Sequence, residues 1–76
     1  MDVTVLNKNI ADNLRQIRAK KRVSQDQLAD LCGISQQYVC KIENEKVNPS
    51  IYILWKIADA LDVTVNDLVY KYQNLL

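Results

Sequence analysis

Five side chains in the middle of the sequence stand out by type and spacing: Gln36, Gln37, Cys40, Lys41 and Asn44. Wound as a helix at about 100° per residue, they fall within about 140° of one another, with Val39 and Ile42 opposite and Tyr38 on the border. A face of amides with one cation can do two things. Glutamine amides near a helix start suit bidentate pairing with the N6 and N7 of adenine, and a lysine one turn later can donate to guanine O6 and N7. The same residues also describe an ordinary solvated helix surface, and the wheel alone leaves both readings open.

Other chemistry is excluded more firmly. Acid–base catalysis needs a histidine or a perturbed carboxylate beside a nucleophile, and the chain has no histidine. Ser24, Ser35 and Ser50 each stand where a helix start needs a cap rather than where a nucleophile would be activated. Two cysteines, Cys32 and Cys40, cannot build a four-ligand zinc site, so no metal or other cofactor is expected, and no small-molecule ligand. Oxidation of Cys40 would put a polar adduct on the outer helix face, although a small adaptable side chain is the simpler role; Cys32 reads as core. An enzyme is not expected.

The elements that must position these residues can be read from apolar spacing and caps. Ile10, Leu14 and Ile17, with Leu6 one turn earlier, give a first helix ending near Lys20. Ser24 and Gln27 have the spacing of a capping box, so a second helix opens at Gln25 and stops at Gly33, the only glycine. Ser35 caps a third helix running to about Glu43. After the Asn44–Ser50 loop, Ser50 caps a fourth with the stripe Leu54, Ile57, Ala58 and Leu61. Thr64 and Asp67 start a fifth, expected to carry Val65, Leu68, Val69, Tyr72 and Leu76. Residues 25–44 thus form two short helices joined at one glycine, the helix-turn-helix arrangement, with Ala29 small enough to let them approach.

The 76 residues allow one all-α domain, with residues 1–7 as a candidate flexible N-terminal extension and 65–76 as the last helix and its tail. No apolar run reaches the roughly 18 residues of a membrane span. The net charge of +1 is a weak sign of a polyanion partner. It is, however, a sum over unlike segments: Arg15, Arg18, Lys20, Lys21 and Arg22 lie together with no acid, whereas Asp59, Asp62 and Asp67 face only Lys71 near the end.

Over about residues 8–70 the sequence resembles the phage-repressor and Cro-like helix-turn-helix family, also called the XRE family. The resemblance is carried by the basic end of the first helix and by S-Q-x-x-L-A at Ser24 to Ala29. Gly33-Ile34-Ser35, K-I-E-N at Lys41 to Asn44, N-P-S at Asn48 to Ser50, and L-W-K-I-A-D-A-L-D-V from Leu54 to Val63 complete it. Members include compact phage repressors and restriction-modification controllers. The resemblance implies a five-helix, lambda-repressor-like fold and a regulator that binds an operator in double-stranded DNA as a homodimer in the cytoplasm of a bacterium. RNA polymerase is a further candidate partner.

Carried over position by position, the resemblance makes Gln36, Gln37 and Lys41 base-reading residues with Cys40 beside them. Gln25 and Asn44 become phosphate anchors, Ser24, Tyr38 and Lys46 further phosphate candidates, and Arg18 with Glu43 a buried salt bridge. The sequence departs from the pattern at Glu45, where many members have glycine, and at Val47 and Asn48, where basic residues occur. Dimerisation is expected through Leu68, Val69, Tyr72, Leu75 and Leu76, with Trp55 and Tyr52 off the core stripe of the fourth helix. A module of a different class, an antitoxin-like subunit that uses the same fold mainly to hold a protein, is the alternative.

Overall fold

Each of the helix starts is fixed by a short polar side chain. The computed structural model describes residues 1–71 and contains α1 (Val3–Lys21), α2 (Gln25–Cys32), α3 (Gln36–Glu43), α4 (Ile51–Leu61) and α5 (Val65–Val69), with no strand among the described residues. Ser24 accepts from the Gln27 amide at 3.0 Å while Gln27 Oε1 accepts from the Ser24 amide at 2.9 Å. Ser35 and Ser50 cap α3 and α4, and Thr64 with Asp67 forms a second reciprocal box at α5. Such caps typically contribute about 1 kcal/mol each.

The first helix begins earlier than the apolar spacing implied. Asp2 accepts from the Val5 amide at 2.9 Å and caps α1 at Val3, so residues 3–7 of the stretch expected as a flexible extension are helical. Residues Val3 to Asn9 run ahead of the first fully buried side chain, Ile10, and leave Val3 and Val5 exposed.

The last helix is shorter than expected. It ends at Val69, and Tyr70 turns extended, held because Asn13 Nδ2 donates to the Leu68 and Tyr70 carbonyls at 2.8 and 2.5 Å and Asn9 Nδ2 to the Val69 carbonyl at 3.2 Å. Tyr72, Leu75 and Leu76 lie outside the described residues. Leu68, expected at a dimer surface, is instead 0% exposed: the fifth helix is a single turn whose one inward leucine closes the core.

One cluster joins all five helices: Ile10, Leu14 and Ile17; Leu28, Ala29 and Cys32; Val39 and Ile42; Leu54, Ile57, Ala58 and Leu61; and Leu68. Burying each large aliphatic side chain contributes roughly 1.5–3 kcal/mol. α1 packs on α5, α3 and α4, while α2 bridges α3 and α4. The ends of α1, α2 and α4 are made left-handed. Gly33 (φ 67°) stops α2, and a β-carbon there would meet nothing closer than Lys56 Nζ at 3.8 Å, so the backbone sign rather than space calls for glycine. Arg22, Glu45 and Asp62 take the same conformation without being glycine.

Candidate nucleic-acid interface

α3 is eight residues long, too short to hold its shape alone, so its outward face depends on how it is clamped. Val39 and Ile42 are buried against the core, and Tyr38 packs half-buried beside them. Opposite, Gln36, Gln37 and Lys41 are exposed and Cys40 half-buried between them, as the helical wheel places them. Lys46 is exposed on the following loop. Asn44, also exposed, folds its amide back to donate to the Cys40 carbonyl at 3.0 Å and to Cys40 Sγ at 3.2 Å.

The end of α3 is tied to α1 by charge. Arg18 donates to both oxygens of Glu43, Nε to Oε2 at 2.6 Å and Nη2 to Oε1 at 2.8 Å, and Nη1 reaches the Val23 carbonyl at 2.9 Å. Glu43 is 3% exposed. Its carboxylate holds the Arg18 guanidinium above the ordinary arginine range, chiefly through this hydrogen bonding and against the effect of burial. Gln25, at the first turn of α2, donates its amide to Glu43 Oε1 at 3.0 Å, so this side chain joins the ion pair instead of standing free. A phosphate beside it would meet the amide's second hydrogen and the unpaired backbone N–H groups of the helix start. Ser24, next to it, is exposed but already accepts from the Gln27 amide.

Two participants carry no signal in the motifs. Arg15 Nη1 donates to the backbone carbonyl of Glu43, while its Nη2 lies 2.9 Å from Asp12, itself 3.0 Å from Lys8. Asn13, 2% exposed, is a polar residue beside the apolar stripe of α1, and that interruption is the one clue the sequence offers to its role in holding α5.

A separate exposed patch lies on α4. Trp55 is 55% exposed and stacks on Tyr52, with ring centroids 6.4 Å apart and planes 18° apart; Lys56 Nζ sits 5.2 Å from the Tyr52 ring centroid, and Ile51 is exposed at the same end.

The arrangement of α2 and α3 about Gly33, with the second helix presenting amides outward, is matched by a family model described as helix-turn-helix, HTH_3, over residues 14–68. The chain belongs to the HTH_3 helix-turn-helix family. It carries the all-α DNA-binding fold of that family's transcriptional regulators, not an enzyme's active site. The HTH_3 chain is 38% identical to the transcriptional regulator SinR of Bacillus subtilis over 61 residues, which is 79% of this chain and 55% of SinR, so it spans about half of that relative. Among solved structures it superposes on the hypothetical transcription factor NHTF from Neisseria with a TM-score of 0.85 at 32% identity, covering 93% of this chain and 82% of that one. With the restriction-modification controller C.AhdI from Aeromonas hydrophila the TM-score is 0.78 at 34% identity, covering 82% and 94%.

Proposed function

We propose that this protein is a sequence-specific transcriptional regulator that lays α3 in the major groove of an operator as a two-fold homodimer, its half-sites one helical turn, about 34 Å, apart. The observation that carries this is the clamped helix with a free polar face: Gln36, Gln37 and Lys41 point away from a helix whose other face is core and whose end is ion-paired to α1. In this reading Gln36 and Gln37 pair with adenine, Lys41 donates to guanine, and Cys40 sits over a thymine methyl or a water. Ser24, Gln25, Tyr38, Asn44 and Lys46 approach the flanking phosphates and fix register without reading sequence.

The homodimer is supported by the Ile51, Tyr52 and Trp55 patch, a larger apolar surface than one short helix needs to expose. Occupying the operator then blocks or recruits RNA polymerase, in keeping with a location in the bacterial cytoplasm. Selecting bound sequences from a random DNA pool and measuring their affinity by fluorescence anisotropy tests the reading. Affinity falls steeply with salt, and Gln37→Ala costs roughly 1–3 kcal/mol at particular base pairs. Absent or salt-independent DNA binding overturns it in favour of a protein-interaction module.

A further inference from the structure

The last four carbonyls of a helix have no partner within it. In α3, three of them are met by the chain that follows: Cys40 O by the Asn44 amide at 3.0 Å, Ile42 O by Glu45 at 3.2 Å and Lys41 O by Lys46 at 2.9 Å. The fourth, Glu43 O, accepts from the Arg15 guanidinium, 28 residues away in the sequence. Arg15 therefore completes the C-terminal cap of α3 and brings a positive charge to the negative end of its dipole. Its second arm donates to Asp12 one turn back at 2.9 Å, so both sides of the guanidinium are engaged, one on α1 and one on the end of α3.

From this geometry we infer that Arg15 is a positioning residue for Lys41, setting which base pair is discriminated at the C-terminal half of α3; the inference rests on the reading of α3 given above. Lys41 lies in the last turn, two residues before the capped carbonyl, whereas Gln36 and Gln37 lie in the first turn, held separately by Ser35. Loosening the C-terminal cap frays Lys41 and leaves the glutamines in place. A direct phosphate contact by Arg15 would do something different, lowering affinity for all sequences alike and reducing the salt slope by about one.

The test is a base-by-base affinity profile on the selected operator, measured well below the melting temperature, for the wild-type chain and for Gln37→Ala, Lys41→Ala, Arg15→Ala and Arg15→Gln. Arg15→Ala is expected to lose about three- to tenfold discrimination at the base pair that Lys41→Ala also affects, the scale of one charge-assisted hydrogen bond partly replaced by water. The Gln37-dependent positions and the salt slope stay unchanged. Arg15→Gln, which keeps an N–H donor, recovers part of the loss at that base pair, whereas a purely global loss of stability would weaken the Gln37-dependent positions as well. A uniform loss with a reduced salt slope, or no change at the Lys41 position, overturns the role given to Arg15. If Gln37→Ala and Lys41→Ala both leave the profile unchanged, α3 does not read bases, and the inference falls together with the reading beneath it.

Discussion

Removing Arg18 is the sharpest single perturbation of this fold, because the two partners of its ion pair are unequally buried. The Arg18 side chain keeps 17% of its surface in water, while Glu43 keeps 3%. Arg18→Ala therefore strands a carboxylate with almost no solvent and removes three hydrogen bonds, two to Glu43 and one to the Val23 carbonyl. Breaking a buried pair from one side costs about 3–5 kcal/mol. A 76-residue domain has roughly 4–11 kcal/mol in total at 0.05–0.15 kcal/mol per residue, so this is a large part of its stability. At ~4–8 °C per kcal/mol for a domain of this size, even the low end lowers the melting temperature by about 12–24 °C.

Glu43→Leu in the wild-type background should cost less, since the orphaned guanidinium still reaches water. Added to Arg18→Ala, it should restore part of the lost stability by removing the stranded charge, and Arg18→Met with Glu43→Leu should come close to wild type. Circular-dichroism melts with urea titrations at 25 °C measure all four. An Arg18→Ala chain melting within about 3 °C of wild type would refute the reasoning, as would a double variant no more stable than Arg18→Ala alone.

Three further outcomes follow from local geometry. Glu45→Gly relieves a left-handed residue (φ 60°) and should raise stability by about 0.5–1.5 kcal/mol; an unchanged or lower melting temperature counts against that strain. Asp12 is held below its usual 3.8 chiefly by the hydrogen bond from Lys8 and its charge, with Arg15 adding to them. A depressed folded value makes its stabilisation full above 3.8 and lost as pH falls, so Asp12→Asn should be less stable than wild type near pH 6, and the two should converge well below 3.8. Burial pushes the Cys32 thiol up, and its Sγ donates to the Lys56 carbonyl at 3.7 Å, so a disulfide reagent should titrate Cys40 rapidly and Cys32 only on unfolding; equal rates at both would contradict the burial of Cys32.

The sequence disclosed most where one residue type has one physical use. Ser24, Ser35, Ser50 and Thr64 marked four helix starts because each is followed by an amide its oxygen can accept from. Val39 and Ile42 oriented α3 through period alone. The start of α1 was hidden because Val3 and Val5 alternate with polar residues like a strand, and only the Asp2 cap overrides that pattern. The end of α5 was hidden because it is set from a distance by Asn9 and Asn13, whose acceptors are backbone carbonyls. Arg15 escaped for the same reason: a main-chain oxygen leaves no mark in the residue order. Gln25 was visible as a helix-start amide, but that it turns inward depends on where Glu43 ends up in space.

α1 carries the contacts of both ends of the molecule along one rod of 19 residues, about 28 Å long. Asn9 and Asn13 grip the end of α5; Arg15 and Arg18 grip the end of α3, barely one turn further on. Inserting or deleting a single residue between Asn13 and Arg15 would rotate one grip against the other by about 100°. Such a change cannot be absorbed by repacking, because each grip is a directed hydrogen bond to a fixed oxygen. An insertion ahead of Asn9 would leave both grips in phase, so the stretch from Asn9 to Arg18 is the part of α1 whose length sets how the two ends of the molecule are turned relative to each other.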